Sequence, residues 1–348
     1  MPSIEPEAYF DAGILRREID RLFKRRVYVG HVSEFADTGN YKSVQIGDEP
    51  ITVRRTTSGI RAFGNVCLHR NTLIDPPGTG NKAFRCPYHA WHYDDDGRLT
   101  HAPGVDMACL ERHALKEHTV IVEHGLVFLR LNTALPDHAD VPLVMDKLRL
   151  AFDEPFHTEV LEHACNWKLL VENVVEGYHI NTVHASSFVP NGISTRSQAE
   201  WSGPEAMQDW VIVSGEYPSR EMQRLAKLIP GTRLHYGHAY IFPNLFVSNG
   251  NDHIAYAGYY LPEDAQRTRL VWSLFELPLL RAQNAEIRQY MRQGAIAFTR
   301  KVLGEDKTVI ETCQIGLRAP SAGCQIVDPI EPRITRFHRS YMEAMQHG

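Results

Sequence analysis

Two short segments constrain this chain more than anything else in it: Cys67-Leu-His69-Arg70 and Cys86-Pro-Tyr-His89-Ala-Trp91. Each holds one cysteine and one histidine, so each can offer a thiolate and an imidazole to the same small inorganic centre. Sixteen residues separate His69 from Cys86, enough for an excursion that brings the chain back to the same place. Any fold that forms must therefore set two loops side by side.

Two thiolates on one iron and two imidazoles on the other is the ligand set of a Rieske [2Fe–2S] centre. Neutral imidazoles place less negative charge on the cluster, so its potential exceeds that of an all-cysteine ferredoxin. Zinc also accepts two cysteines and two histidines. Zinc fingers, however, pair Cys with Cys and His with His, whereas each arm here carries one of each. Pro87, Tyr88 and Trp91 suit a tight loop over a cluster.

The chain has 348 residues, 43% of them apolar, enough for two modest domains or one large one. A net charge of −5 with both signs scattered gives no basic footprint for nucleic acid. No apolar run approaches the length of a membrane span. The start, Met1-Pro-Ser-Ile-Glu-Pro-Glu, is acidic and lacks the apolar core of a signal peptide. Beyond Cys67 and Cys86, the cysteines at 109, 165, 313 and 324 show no framework spacing, which predicts free thiols in a reducing compartment. The expectation is a cytoplasmic protein.

Glu5 to Lys24 reads as a helix, with Phe10, Leu15, Ile19, Leu22 and Phe23 at helical spacing. From Val27 the period shortens. Val27-Tyr-Val, Tyr41–Ile46, Ile51–Arg54, Ile60–Phe63, Thr119–Val122 and Leu126–Leu131 are strand-like runs between turn residues. They predict an all-β unit over residues 27–140 carrying both arms on loops, with a linker at Leu135-Pro-Asp-His-Ala-Asp-Val-Pro. Residues 141–348 read as α+β around an antiparallel sheet. Its strands fall near Tyr240, Leu245, Ile254 and Arg269, and its helices at Trp167–His179 and Ala285–Leu303.

A second constellation lies in Glu172-Asn173-Val-Val-Glu176-Gly-Tyr178-His179-Ile-Asn-Thr-Val-His184. Glu176 and His179 are three apart and adjacent on a helix. His179 and His184 are five apart, about 140° on an ideal helix, so the helix must loosen or end between them to aim both at one ion. A carboxylate from elsewhere would complete a 2-His-1-carboxylate triad for Fe(II). Glu305, Asp306 and Glu311 are the candidates. Acidic residues near a helix start also serve as plain dipole partners.

Taken together, these stretches resemble the terminal oxygenase (α) subunit of the Rieske non-haem iron oxygenases, over nearly the whole length. Asn65-Val-Cys67-Leu-His69-Arg70, Cys86-Pro-Tyr-His89-Ala-Trp91, Asn166-Trp-Lys, Glu172-Asn173, Glu176 and His179 with His184 carry the resemblance. Phe242-Pro-Asn244 and Glu305-Asp306 followed by Gln314 add to it. It implies a [2Fe–2S] cluster on Cys67, His69, Cys86 and His89, and a mononuclear iron on His179, His184 and Asp306. It also implies an all-β Rieske domain plus a helix-grip catalytic domain, with the N-terminal helix of residues 1–26 packed on the latter. Glu176 would bridge His179 to His89 of a neighbouring copy in a homotrimer, and Asn173 and Tyr178 would tune the iron site. The family's common glycines are replaced by Asn71 and Ala90.

The resemblance further implies O2, a small organic substrate and an NAD(P)H-dependent reductase, with or without a ferredoxin, as partners. The reaction would hydroxylate or dihydroxylate a small aromatic substrate. The alternative is oxidative N- or O-demethylation, or monooxygenation, of a small polar or quaternary-ammonium compound. A reading of another class is a Rieske electron-transfer protein with the cluster alone. The aromatics Trp201, Trp210, Tyr236, Tyr240, Tyr256 and Tyr259 suit a ring or a quaternary ammonium. Arg196 and Arg233 are candidates for holding a carboxylate.

Overall fold

Asp11 interrupts the single helix expected over Glu5–Lys24. A 3-10 turn at Pro6–Tyr9 comes first. Asp11 then caps α1 (Ala12–Glu18), its carboxylate accepting the Ile14 N–H at 2.6 Å, as short acidic side chains do at helix starts. The chain widens to π-helical geometry at Ile19–Phe23. The structure is a computed structural model that describes residues 3–107, 113–135, 141–195, 198–205, 208–214, 220–323 and 330–346. The side chains of 198–205, 208–210, 213–214 and 220–222 lie outside the description.

The chain forms two units, one of Met1–Arg21 with His138–Gly348, the other of Leu22–Asp137. The first break thus falls five residues before the expected boundary at 26. Residues 24–26 already belong to the second unit. Lys24 pairs with Glu49 at 2.7 Å, Arg26 pairs with Glu123 at 2.6 Å, and the Arg26 guanidinium lies 4.2 Å over the Phe128 ring. Most of the expected linker, residues 136–140, lies outside the described residues.

The Leu22–Asp137 unit is all-β. Its strands are β1 (Val27–His31), β2 (Asn40–Ile46), β3 (Glu49–Thr56), β4 (Gly59–Gly64), β5 (Gly78–Asn81), β6 (His92–Tyr93), β7 (Leu99–His101), β8 (Glu117–Glu123) and β9 (Leu126–Arg130). Seven form a sheet in the order β1-β9-β8-β4-β3-β2-β5, and β6-β7 is a separate hairpin. β5, Gly-Thr-Gly-Asn, has no apolar alternation to announce it. It pairs with β2 where the Tyr41 ring covers Gly80, and a Cβ there would come within 2.7 Å of the Tyr41 hydroxyl.

The other unit is α+β. It contains α2 (Val141–Leu148), β10 (His157–His163), α3 (Trp167–Val175), α4 (Ile180–Val183), β11 (Gln198–Glu205), β12 (Gln208–Ser214) and α5 (Arg220–Leu228). Then follow β13 (His235–Ile241), β14 (Leu245–Gly250), β15 (Ile254–Asp264), β16 (Arg267–Glu276), α6 (Pro278–Arg281), α7 (Ala285–Gly316) and α8 (Pro332–Gln346). One antiparallel sheet runs β10-β16-β15-β14-β13-β12-β11, and α3 packs against β13, β15, α7 and α8. α7 is longer than the expected Ala285–Leu303. Gly304 does not stop it, since one helical glycine costs only about 1 kcal/mol. Among the described residues no helix is long and apolar enough to cross a membrane.

Candidate metal centres

The two Cys/His arms are built alike. Asn71 donates its N–H to Cys67 O at 3.0 Å, and Ala90 donates to Cys86 O at 3.2 Å. Cys67 N–H reaches Thr72 O and Cys86 N–H reaches Trp91 O, both at 2.9 Å. Each loop therefore closes on its own cysteine, and the fourth residue after that cysteine turns left-handed, at φ +58° for Asn71 and +56° for Ala90. Asparagine enters that region readily and alanine at a cost of about 1 kcal/mol. The glycine replacements noted in the sequence thus keep the loop shape.

Both cysteines are buried, among Phe63, Ile74, Trp91, Tyr93, Leu99 and Leu115. His69 and His89 are exposed, with ring centroids 4.5 Å apart, and His69 stacks on Trp91 at 4.9 Å. The first arm is fastened from below: Asn65 accepts the Asp75 N–H at 2.9 Å and donates to Asp75 O at 2.8 Å. Asp75 in turn accepts from Thr52 Oγ1 at 2.6 Å and pairs with Arg54 and Lys82. Two buried thiols beside two adjacent, outward imidazoles fit a [2Fe–2S] cluster with its histidine side toward solvent.

Sequence reasoning missed Tyr93. Its hydroxyl donates to Cys67 Sγ at 3.3 Å and accepts the Leu68 N–H at 3.1 Å. Burial, then Cys67, pushes the phenol up, so it stays a donor. A donor to a thiolate ligand favours the more negative, reduced cluster. Tyr93→Phe should lower the midpoint potential by about 40 mV, the one-electron equivalent of a ~1 kcal/mol hydrogen bond. Protein-film voltammetry reads this, and an unchanged potential would refute it.

In the second constellation the helix breaks earlier than expected. α3 ends at Val175, and Glu176 is extended (φ −118°, ψ 153°). His179 and His184 then flank the single turn of α4, which leaves their ring centroids 4.9 Å apart. The break thus precedes both histidines instead of falling between them. Glu176 reaches around this loop: its carboxylate accepts the backbone N–H groups of Tyr178 and, at 3.2 Å, His179, and pairs with His179 Nδ1. Glu176 and His179 meet through this loop and not along a helix face.

Asp306 comes to the same place from the middle of α7. Its Oδ1 lies 3.0 Å from His184 Nε2 and 3.6 Å from His179 Nε2, and the three ligand atoms all fall within 4.8 Å of one another. Glu305, one residue and 100° around the helix, takes the outer side of His184. It holds Nδ1 at 2.8 Å and accepts from Ser186 Oγ at 2.9 Å and Ser187 Oγ at 2.6 Å. Glu311 points elsewhere, to Ala164 N–H at 2.8 Å and Lys307. Gln314 accepts the Asn166 N–H at 2.8 Å. Together these two contacts pin α7 beside the start of α3. The acidic pair is therefore not at a helix start.

The donor set fits a cation. With Nδ1 of each histidine engaged by a carboxylate, both Nε2 lone pairs face inward. Asp306 Oδ1 is buried and, despite its 3.0 Å approach to His184, is out of line for a hydrogen bond. With both imidazoles neutral, three electron-pair donors thus converge on one place. Burial would push the His184 imidazole down, but Asp306 and Glu305 outweigh it and hold it above its usual value. A cation would take that proton's place. Asn173 is half-buried and its side chain shows no hydrogen bond among the described residues, and Tyr178 is 56% exposed.

Beyond His184 the interior is aromatic. Phe188 lies 5.2 Å from the His184 ring, Tyr236 5.4 Å from Phe188, and His238 5.4 Å from Tyr236. His238, Ser248 and Tyr256 are register partners across β13, β14 and β15, so their side chains share one face. Tyr236, His238 and Tyr256 are half-buried. The Tyr256 ring folds over Gly258, where a Cβ would meet its hydroxyl at 2.2 Å. Tyr240 and Tyr259 are core, and Arg233 pairs with Asp252 at 2.7 Å. Arg196 and the side chains of Trp201 and Trp210 lie outside the described residues.

Known proteins agree with this architecture. Residues 152–347 match the family described as ring hydroxylating alpha subunit (catalytic domain), and residues 25–117 match the Rieske [2Fe-2S] domain. The chain belongs to the ring-hydroxylating alpha subunit family, oxidoreductases that carry a Rieske cluster and a mononuclear iron. It is 36% identical to the glycine betaine monooxygenase oxygenase subunit of Chromohalobacter salexigens, over 52% of this chain and 43% of that protein. It is 32% identical to the anthranilate 1,2-dioxygenase large subunit of Acinetobacter baylyi, over 52% of this chain and 42% of that one. The match thus covers less than half the length of these relatives. In fold, it superposes on the quaternary ammonium Rieske monooxygenase CntA (TM-score 0.82, 19% identity, 99% of this chain and 95% of that one). The naphthalene 1,2-dioxygenase of Rhodococcus sp. gives a TM-score of 0.76 at 17% identity, over 99% and 94%.

Proposed function

We propose that this protein is the terminal oxygenase component of a multicomponent Rieske oxygenase, acting on a small aromatic substrate by hydroxylation or dihydroxylation. The convergence of His179, His184 and Asp306 beside the rings of Phe188 and Tyr236 carries this reading. Cys67, His69, Cys86 and His89 would hold the cluster, and the triad would hold the iron. When bound, these groups supply electron storage and the reductive activation of O2. The chain's own residues do the rest. Glu176 and Glu305 keep the imidazole protons on Nδ1, and Phe188, Tyr236 and Tyr256 exclude water beside the triad. An electron-transfer module would have no use for the triad, and iron content separates the two: three per chain against two.

Oxidative demethylation or monooxygenation of a quaternary ammonium compound is the second reading, favoured by the same rings, which suit a cation, and by the betaine-oxidising relative. Product mass after turnover with O2 and a surrogate reductase decides. Two added oxygens with two hydrogens mean ring dihydroxylation. One added oxygen, or formaldehyde, means the second reading. An iron-replete protein forming no product from aromatic acids, methylated amines or quaternary ammonium compounds would count against both.

In this reading the partners are an NAD(P)H-dependent reductase and two further copies of the chain, in the cytoplasm, where Cys165 and Cys313, both free thiols, would stay reduced. Glu176 would join His179 to the neighbouring copy's exposed His89. Glu176→Ala is then expected to cut turnover about 10–100-fold. Stopped-flow absorbance should show the pre-reduced cluster reoxidising slowly with substrate and O2. Reoxidation at the wild-type rate would remove Glu176 from that role.

A further inference from the structure

The three ligands of the triad arrive from two directions. His184 is fastened to α7 itself: Glu305 holds its Nδ1 at 2.8 Å, and Asp306 Oδ1 lies 3.0 Å from its Nε2. His179 instead follows the end of α3, through Glu176, and its Nε2 lies 3.6 Å from Asp306 Oδ1. The direction of α3 relative to α7 therefore sets how His179 meets the other two ligands. Ligand distances in a metal site hold within about 0.2 Å, so little play is tolerated.

At its start α3 is fixed to α7 by Gln314, whose side-chain oxygen accepts the Asn166 N–H at 2.8 Å, and by Glu311. Those contacts hold one end of the helix. A second hold comes from Tyr9, in the 3-10 turn that precedes α1. Its carbonyl accepts from Gln314 Nε2 at 3.0 Å, and its hydroxyl donates to Glu172 Oε1, more than one turn further along α3 than Asn166. The same Glu172 oxygen takes a second donor. Ile4 N–H reaches His338 Nδ1 at 3.1 Å, so the His338 ring carries its proton on Nε2 and donates it to Glu172 at 2.9 Å. Tyr9 and His338 are both buried, and hydrogen bonds to a carboxylate are the stronger kind. Tyr9 thus braces α3 against α7 through one backbone and one side-chain contact.

We propose that Tyr9 is a positioning residue for the mononuclear centre, setting the approach of His179 to Asp306 from outside the site. The inference rests on the triad reading for what the site holds, but not on what the site then oxidises.

The test is anaerobic titration with ferrous iron of the full chain, its cluster loaded and its mononuclear iron removed with a chelator. Tyr9→Phe keeps the ring and removes the hydroxyl alone. It is expected to raise the ferrous Kd about 10-fold, the low end of what losing a ligand's own partner costs. Glu172→Gln leaves an oxygen for Tyr9 and His338 and should restore binding to within a few-fold of wild type. Tyr341→Phe is the structural control. It takes a similarly buried hydroxyl from Glu18, which grips the first turn of α3 but not α7, and should leave the ferrous Kd within a few-fold. A merely structural role would weaken iron binding equally in the two tyrosine variants and overturn the proposal. So would a wild-type Kd in Tyr9→Phe. A wild type that takes up no third iron would overturn the triad reading together with the brace. Tyr9-dependent iron uptake in a protein that oxygenates nothing would sink the oxygenase reading and leave the brace standing.

Discussion

Replacing His184 or Asp306 with alanine should remove one iron in three and leave the Rieske absorption bands unchanged. Each residue offers one of the three ligand atoms that converge there among the described residues, and neither belongs to the Cys/His arms. Product formation is expected to fall by more than about 100-fold, the upper end of what losing an outer partner of a ligand costs. Glu305→Gln is the informative control. The amide keeps one oxygen where Ser186 meets one carboxylate oxygen and Ser187 and His184 share the other, and it no longer offers a full charge to His184 Nδ1, 2.8 Å away. Iron affinity should fall about 10–100-fold, with activity recovering at saturating iron. A colorimetric iron assay and a product assay on the same preparation read both effects. Unchanged turnover in His184→Ala would show that the mononuclear site lies elsewhere.

The candidate ligand segments were legible because ligand chemistry leaves residue types at short spacings. His179 and His184 drew their weight from the Cys/His arms, whereas both arms could be picked out as candidate ligands with no knowledge of their neighbours. The choice between Glu305 and Asp306 could not, since adjacent residues differ only in helix phase, and that phase is set by Gln314 and Glu311 gripping the start of α3. The break before His179 was misplaced for a similar reason. Spacing alone says that the helix must yield somewhere, but Glu176 capping its own following N–H groups decides where. Tyr93 stayed hidden because a tyrosine seven residues after a cysteine has no distinctive spacing; only the folded hairpin brings its hydroxyl to Cys67. β5 and the internal Gly304 of α7 went unread because backbone pairing and tertiary contacts, not local pattern, hold them.

The same helix that leads into the iron loop begins on a buried ion pair, and breaking that pair should cost more stability than any surface change. Lys168 Nζ lies 2.6 Å from Glu18 Oε1, with both side chains fully buried. Glu18 also accepts from Trp167 Nε1 at 2.8 Å and from the Tyr341 hydroxyl at 2.5 Å. One carboxylate thus ties α1 to the first turn of α3 and to α8. Lys168→Met leaves Glu18 charged, buried and short of its cation, an expected loss of about 3–5 kcal/mol. Coupling it with Glu18→Gln removes both charges and keeps an acceptor for Trp167 and Tyr341. That pair should recover most of the loss, because well-packed neutral replacements for buried ion pairs cost little. Urea midpoints followed by tryptophan fluorescence give the comparison. A double variant as unstable as Lys168→Met would mean that packing of the lysine stem against Tyr9, Trp167 and Tyr341, not charge, holds the start of α3.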